Sequence, residues 1–202
     1  MSKSEASGKA QVVNAIMDVV TYIPPSREHA VERPSERAQV IARLAARNAS
    51  LMAGTLALPL GPLGWITVVP ELIGVWRLQS QMVSDIASVY GKQSTLGNEQ
   101  MLYCLFKQAS AQLMRDVVVR VGERALVRHT SVQLLQSMAQ ILGVQITKSL
   151  INKSASRFVP IIGAVGVGAY AYFDTLQVAK NAAELFERDL VFDPDDATLN
   201  AL

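Results

Sequence analysis

Apolar residues recur along the chain three and four positions apart, the spacing of one helical face, while strict apolar/polar alternation is nearly absent. Val12, Val13, Ile16, Val19, Val20 and Ile23 predict a short amphipathic helix that ends at Pro24-Pro25. Two prolines in succession remove backbone donors and force extended chain, so residues 24–34 read as a linker. Residues 1–9 are rich in Ser and Lys and read as disordered, which makes residues 1–34 a flexible N-terminal segment carrying one short helix. Ser35 then has the character of an N-cap. Val40, Ile41, Leu44, Asn48 and Leu51 share a helix face, with Arg37, Arg43 and Arg47 off it.

The pattern changes at Asn48. From there to Pro70, 23 residues carry no charge, long enough for a membrane-spanning helix of ~20 residues. Pro59, Pro62 and Pro70 with Gly54, Gly61 and Gly64 break that run, so two short apolar helices joined by a tight turn fit better than one straight span. Leu72, Trp76, Gln79, Val83, Ile86 and Tyr90 then form an amphipathic stripe, and Gly91 is placed to end it as the residue beyond the helix. After a polar loop, Asn98 can cap a helix whose apolar face includes Leu102, Leu105, Phe106, Ala109, Leu113 and Val117. A further helix is predicted over residues 130–151, with Leu134, Leu135, Met138, Ile141, Leu142 and Ile146 inward.

Residues 158–173 form a second charge-free run, with Gly163, Gly166 and Gly168 among small neighbours that let another helix come close. Both charge-free segments are too apolar to leave in water and are expected to touch each other. The prediction is an all-α, compact multi-helix bundle of five to seven helices with two Pro/Gly-broken apolar segments. Its body is residues 35–188, and residues 189–202 form an acidic tail.

Composition sharpens this picture. Half of the 202 residues are hydrophobic and 18% are charged, against about 25% in ordinary soluble domains. Mean hydropathy is +0.23. The four aspartates after Arg188 give residues 189–202 a charge of −4, which leaves +6 on residues 1–188 out of a net +2. A moderately basic, apolar body suits an anionic membrane surface, whereas a net charge this small does not suit a nucleic-acid binder. A solvated tail on an ordinary domain is the plainer explanation of the same charges. Residues 10–23, interrupted by Asn14 and Asp18, lack the uninterrupted apolar core of a signal peptide, so a cytoplasmic location is expected, with peripheral membrane association.

Catalytic chemistry finds no foothold. Cys104 lies in an apolar helical context with no histidine near it in sequence, and two histidines, His29 and His129, do not build a metal site. The glycine clusters match neither a phosphate loop nor a dinucleotide fingerprint, and no cofactor is expected. Glu71, Arg77, Arg157 and Asp174 border the charge-free segments; such groups persist in apolar surroundings mainly when paired, so a structural network among them competes with a lipid-headgroup site. Arg120, Arg124 and Arg128 repeat every fourth residue as a basic stripe.

Three pieces of sequence resemble the EcsC family of bacterial proteins. One is the turn Leu58-Pro59-Leu60-Gly61-Pro62-Leu63-Gly64. Another is Arg77 followed by Ile86-Ala87-Ser88-Val89-Tyr90-Gly91, and the last is Arg157-Phe158-Val159-Pro160-Ile161-Ile162-Gly163-Ala164 leading to Asp174-Thr175. In order and spacing they cover about residues 36–188, with Glu71 standing where an aspartate is common in the family. The resemblance implies a predominantly helical protein tied to the cell envelope, with no catalytic residues to carry over.

The expected function is therefore non-enzymatic: association with an anionic membrane, or handling of a hydrophobic or lipid ligand. Its candidate residues are Pro59, Gly61, Gly64, Trp65, Glu71, Arg77, Arg157, Gly163, Gly166 and Asp174. Trp65, just past the turn, is an amphipathic ring suited to a headgroup region. The alternative is a soluble interaction or scaffold protein, a homo-oligomer among the options, whose apolar segments are simply its core.

Overall fold

A computed structural model of the chain describes residues 3–56, 64–107, 136, 139–144 and 160–191. Its main elements are α1 (Lys3–Thr21), α2 (Pro34–Leu56), α3 (Gly64–Val89), a 3-10 turn (Gln93–Thr95), α4 (Asn98–Phe106) and α5 (Pro160–Val191). A further helical stretch covers 139–144, and no strand occurs among the described residues. The protein is an all-α bundle.

Local chemistry explains the start of α2 and the end of α3. Pro34 opens α2, because a residue without an N–H costs nothing in a first turn; Ser35 lies inside that turn instead of capping it. Past α3, Gly91 adopts φ +70°. Its N–H donates to the Ser88 carbonyl at 2.8 Å, and the Lys92 N–H donates to Ala87 at 2.7 Å. These paired bonds satisfy carbonyls that the helix end leaves open, as the sequence predicts for Gly91. A helix break at Pro70 does not occur: α3 runs through it from Gly64. Pro70 is the seventh residue of α3, past the first turn, so the helix forgoes the bond to the Ile66 carbonyl. That loss costs about 3 kcal/mol, which the remaining turns and packing of a 26-residue helix offset.

The centre of the fold is a three-helix layer. Gly168 of α5 lies against Ser50 and Gly54 of α2, and Ala171 packs with Ala49 and Ala53. Numbers rise on one helix as they fall on the other, so α2 and α5 are antiparallel. Gln79 of α3 meets Asp174 and Thr175 of α5, and Tyr90 faces Phe186 with ring centroids 6.5 Å apart. Those two helices are parallel. The main core joins these helices to α1, α4 and residues 139 and 142 in one cluster.

Three features correct the sequence reading. The N-terminal segment is not a loose lead-in: Val12, Ile16 and Val20 of α1 are almost fully buried in the main core. Gly166, expected at a close helix contact, is exposed with nothing near the position of a Cβ. Gly168, half a turn further on, makes that contact: a Cβ there would lie 3.1 Å from the Ser50 carbonyl oxygen. The expected meeting of the two charge-free segments is nonetheless present, in Gly54 against Gly168.

The third correction concerns α2. Its inward face is Ala38, Ile41, Ala42, Ala46, Ala49 and Ala53, whereas Val40, Leu44 and Leu51 point outward. Small residues let α2 and α5 approach closely, and the larger side chains are displaced to the opposite face.

Candidate functional site

The outer face of α2 unites residues that the sequence reading set apart. With 100° per residue, Val40, Arg43, Leu44, Arg47 and Leu51 fall within one arc of about 100°. Val40, Leu44 and Leu51 are 53%, 61% and 59% exposed, and Arg43 and Arg47 are exposed beside them. Neither arginine has an ion-pair partner among the described residues. Apolar side chains interleaved with free cations on one helix face are the composition of an interfacial helix.

The antiparallel layer adds a second feature. It places the last turns of α2, the start of α3 and the start of α5 at one end of the bundle. These are the portions of each helix drawn from the charge-free runs 48–70 and 158–173. On α5 this end leaves Tyr170 and Phe173 65% and 69% exposed, with Phe173 edge-on to Tyr172 at 5.7 Å. The opposite half of the α5 outer surface is charged, with Lys180 and Glu184 3.8 Å apart. The bundle thus has one apolar end and one ionic end.

Asp174 marks the border between them. Its carboxylate accepts from Gln79 Nε2 at 2.8 Å, and the same amide donates to Thr175 Oγ1 at 3.1 Å. Gln79 is fully buried, and its own Oε1 has no hydrogen-bond partner among the described residues. Burial holds Asp174 above the ordinary carboxylate range, only partly opposed by the Gln79 hydrogen bond. A raised folded-state pKa means that the folded protein binds the extra proton, so this group's contribution to stability falls as pH rises from the ordinary carboxylate pKa through the raised value. Asp174→Asn, which keeps an acceptor for Gln79, is expected to raise the melting temperature at pH 7 and to leave it little changed at pH 4. Thermal unfolding followed by circular dichroism at the two pH values checks this.

Of the network expected among Glu71, Arg77, Arg157 and Asp174, Arg157 and the Glu71 side chain lie outside the described residues, and no ion pair joins Arg77 to Asp174. Two positions along α3 turn Arg77 away from Gln79 by most of half a revolution, and Arg77 lines a different feature, a cleft of about 1030 Å³ between α1, residues 22–28 and α3. A strap of extended chain, residues 22–33, closes one side of it. Having two prolines, that strap offers more acceptors than donors, and α3 supplies the donors. The Ser84 hydroxyl donates to the Pro24 carbonyl at 2.5 Å, Gln81 Nε2 to Pro25 at 3.1 Å, and Ser88 to Glu28. Val31 returns one N–H to the Val89 carbonyl at 3.2 Å. The sequence signal for this clamp is the polar spacing of Gln81, Ser84, Asp85 and Ser88 at helix intervals, opposite the apolar stripe and easily passed over as a solvated face.

The remaining candidates divide by position. Gly64, Trp65 and Glu71 belong to the first turns of α3, and Gly163 to the first turn of α5, all at the apolar end. Pro59, Gly61 and Arg157 lie outside the described residues, as do Arg120, Arg124 and Arg128. Cys104 is fully buried, and burial pushes its thiol pKa far up, so it offers no thiolate. Among the described residues no three acidic, histidine or cysteine side chains are grouped to hold a metal ion, and no helix is long and apolar enough to cross a membrane. In comparisons with known proteins, no family model, no curated protein and no solved structure matches the chain.

Proposed function

We propose that the chain is a non-enzymatic, EcsC-like helical protein of the bacterial cytoplasm that lies peripherally on an anionic membrane surface. The outer face of α2 and the apolar end of the bundle form the contact. The observation that carries this reading is the outward placement of Val40, Leu44 and Leu51 beside Arg43 and Arg47, two arginines with no ion-pair partner among the described residues. Burying three large aliphatic side chains in an interface is favourable at ~25 cal/mol per Å², and each arginine near anionic lipid adds ~1 kcal/mol. Exposed Tyr170 and Phe173 enlarge the apolar contact on α5.

The spacing 40, 44, 47, 51 also matches the four-three-four seam of a two-helix coiled coil, which favours a homodimer as the second reading. Against it, Arg47 occupies a seam position where a symmetric partner would bring like charges together. Co-sedimentation with phosphatidylcholine vesicles, with and without phosphatidylserine, separates the two. Binding is expected only to the anionic vesicles and should weaken about thirtyfold in Arg43→Gln/Arg47→Gln, the loss of ~2 kcal/mol from two arginines. Equal binding of parent and variant would overturn the membrane reading, as would a stable dimer in buffer that Leu44→Asn/Leu51→Asn dissociates without any vesicle binding by the parent.

A further inference from the structure

Arg43 and Arg47 differ from the two arginines that precede them. Arg33 is paired with Glu36 at 3.3 Å, and Arg37 with Glu28 at 2.6 Å. Arg43 and Arg47 have no ion-pair partner among the described residues, and the sequence holds no acidic residue from Arg37 to Pro70. Glu36, the nearest acid before them, lies two turns back from Arg43 and is already paired. Residues four apart on a helix share a face with Cβ atoms ~6 Å from each other. At 100° per residue the two arginines form one edge of the outer arc of α2, and Leu51 and Leu44 form the other. When those apolar side chains sink below a membrane surface, the arginine edge stays at headgroup height.

Resting on the membrane contact proposed above, we infer that the Arg43–Arg47 pair selects lipids whose headgroup ends in a phosphate monoester. A guanidinium fork grips two oxygens of one phosphate at once. A phosphodiester headgroup has two unesterified oxygens, enough for one fork, and a single charge. A monoester has three, so two forks close on the same phosphate by sharing one oxygen, and its charge at neutral pH is about −1.5 to −2. No carboxylate on this face cancels that attraction. The occupant is a lipid and not a free phosphate, because only a lipid also brings an apolar phase to exposed Val40, Leu44 and Leu51.

Co-sedimentation of the full chain tests this with phosphatidylcholine vesicles that contain either phosphatidic acid, a monoester, or twice its molar fraction of phosphatidylglycerol, a diester. Doubling the diester keeps its surface charge at least equal. Binding to the phosphatidic acid vesicles is expected to be about tenfold tighter, the effect of one further charge-assisted fork. That preference should grow from pH 5 to pH 7.5, as the monoester loses its second proton near a pKa of ~6, while titration of the protein itself is read in the diester arm. Arg43→Lys/Arg47→Lys keeps both charges on exposed positions and removes the forks. It should retain diester binding and lose the monoester preference, with circular dichroism verifying the fold. Equal binding of the parent to the two vesicles, or a preference that the lysine variant keeps, overturns the inference and leaves the membrane contact standing. Binding to neither vesicle overturns both.

Discussion

Ile16→Ala is expected to lower the free energy of unfolding by about 2–5 kcal/mol, the range for truncating a fully buried aliphatic side chain. Ile16 is completely inaccessible, and Val12, Val19 and Val20 around it are buried in the same core as Trp76, Met82 and Phe186. The cost has two parts, the lost transfer of the removed carbons from water and the void left where neighbours cannot collapse. Leu44→Ala supplies the control: Leu44 is larger in sequence-based hydrophobicity than its alanine neighbours, yet it is 61% exposed. That substitution should fall within about 0.5 kcal/mol of the parent, the usual range for surface positions. Urea unfolding measures both. If Ile16→Ala unfolds at the parent's midpoint, α1 is not part of the cooperative core.

The second large effect pits two glycines on one helix against each other. Gly168→Ala puts a Cβ 3.1 Å from the Ser50 carbonyl oxygen and 3.3 Å from its hydroxyl. The backbone oxygen is fixed within α2, so α2 and α5 must separate, at a cost of about 1–3 kcal/mol. Gly166→Ala meets nothing within 4 Å and relieves the conformational entropy of a helical glycine, a gain of about 0.5–1 kcal/mol. Opposite shifts in melting temperature are expected from the same chemical change two residues apart. Equal shifts would mean that α2 and α5 do not pack through Gly168.

What could be read from sequence follows from which forces are local. Gly91 was legible because a helix end needs a residue that tolerates positive φ, and the α3 stripe from Trp76 to Tyr90 was legible because its large apolar residues do face the core. On α2 the same logic pointed the wrong way. Hydrophobic periodicity ranks leucine above alanine, whereas a helix in close contact along its length is selected for small volume, so the alanine face went inward and Leu44 and Leu51 outward. That preference belongs to the partner helix, α5, more than a hundred residues away in sequence. Arg77 and Asp174 had the right types for an ion pair, but their separation is set by the rotation of α3, and Asp174 met an amide instead.

The direction of the three central helices has an electrical consequence that no side chain reveals. α3 and α5 both begin at the apolar end, and α2 finishes there. Each helix start exposes peptide N–H groups worth about +0.5 of an elementary charge, and each helix end exposes carbonyls worth about −0.5. Two starts against one finish leave roughly half a positive charge at an end whose sequence contains no ionised residue from Asn48 to Pro70 or from Phe158 to Phe173. The backbone therefore gives the apolar end the same sign as the arginines of α2, without the desolvation cost of a charged side chain.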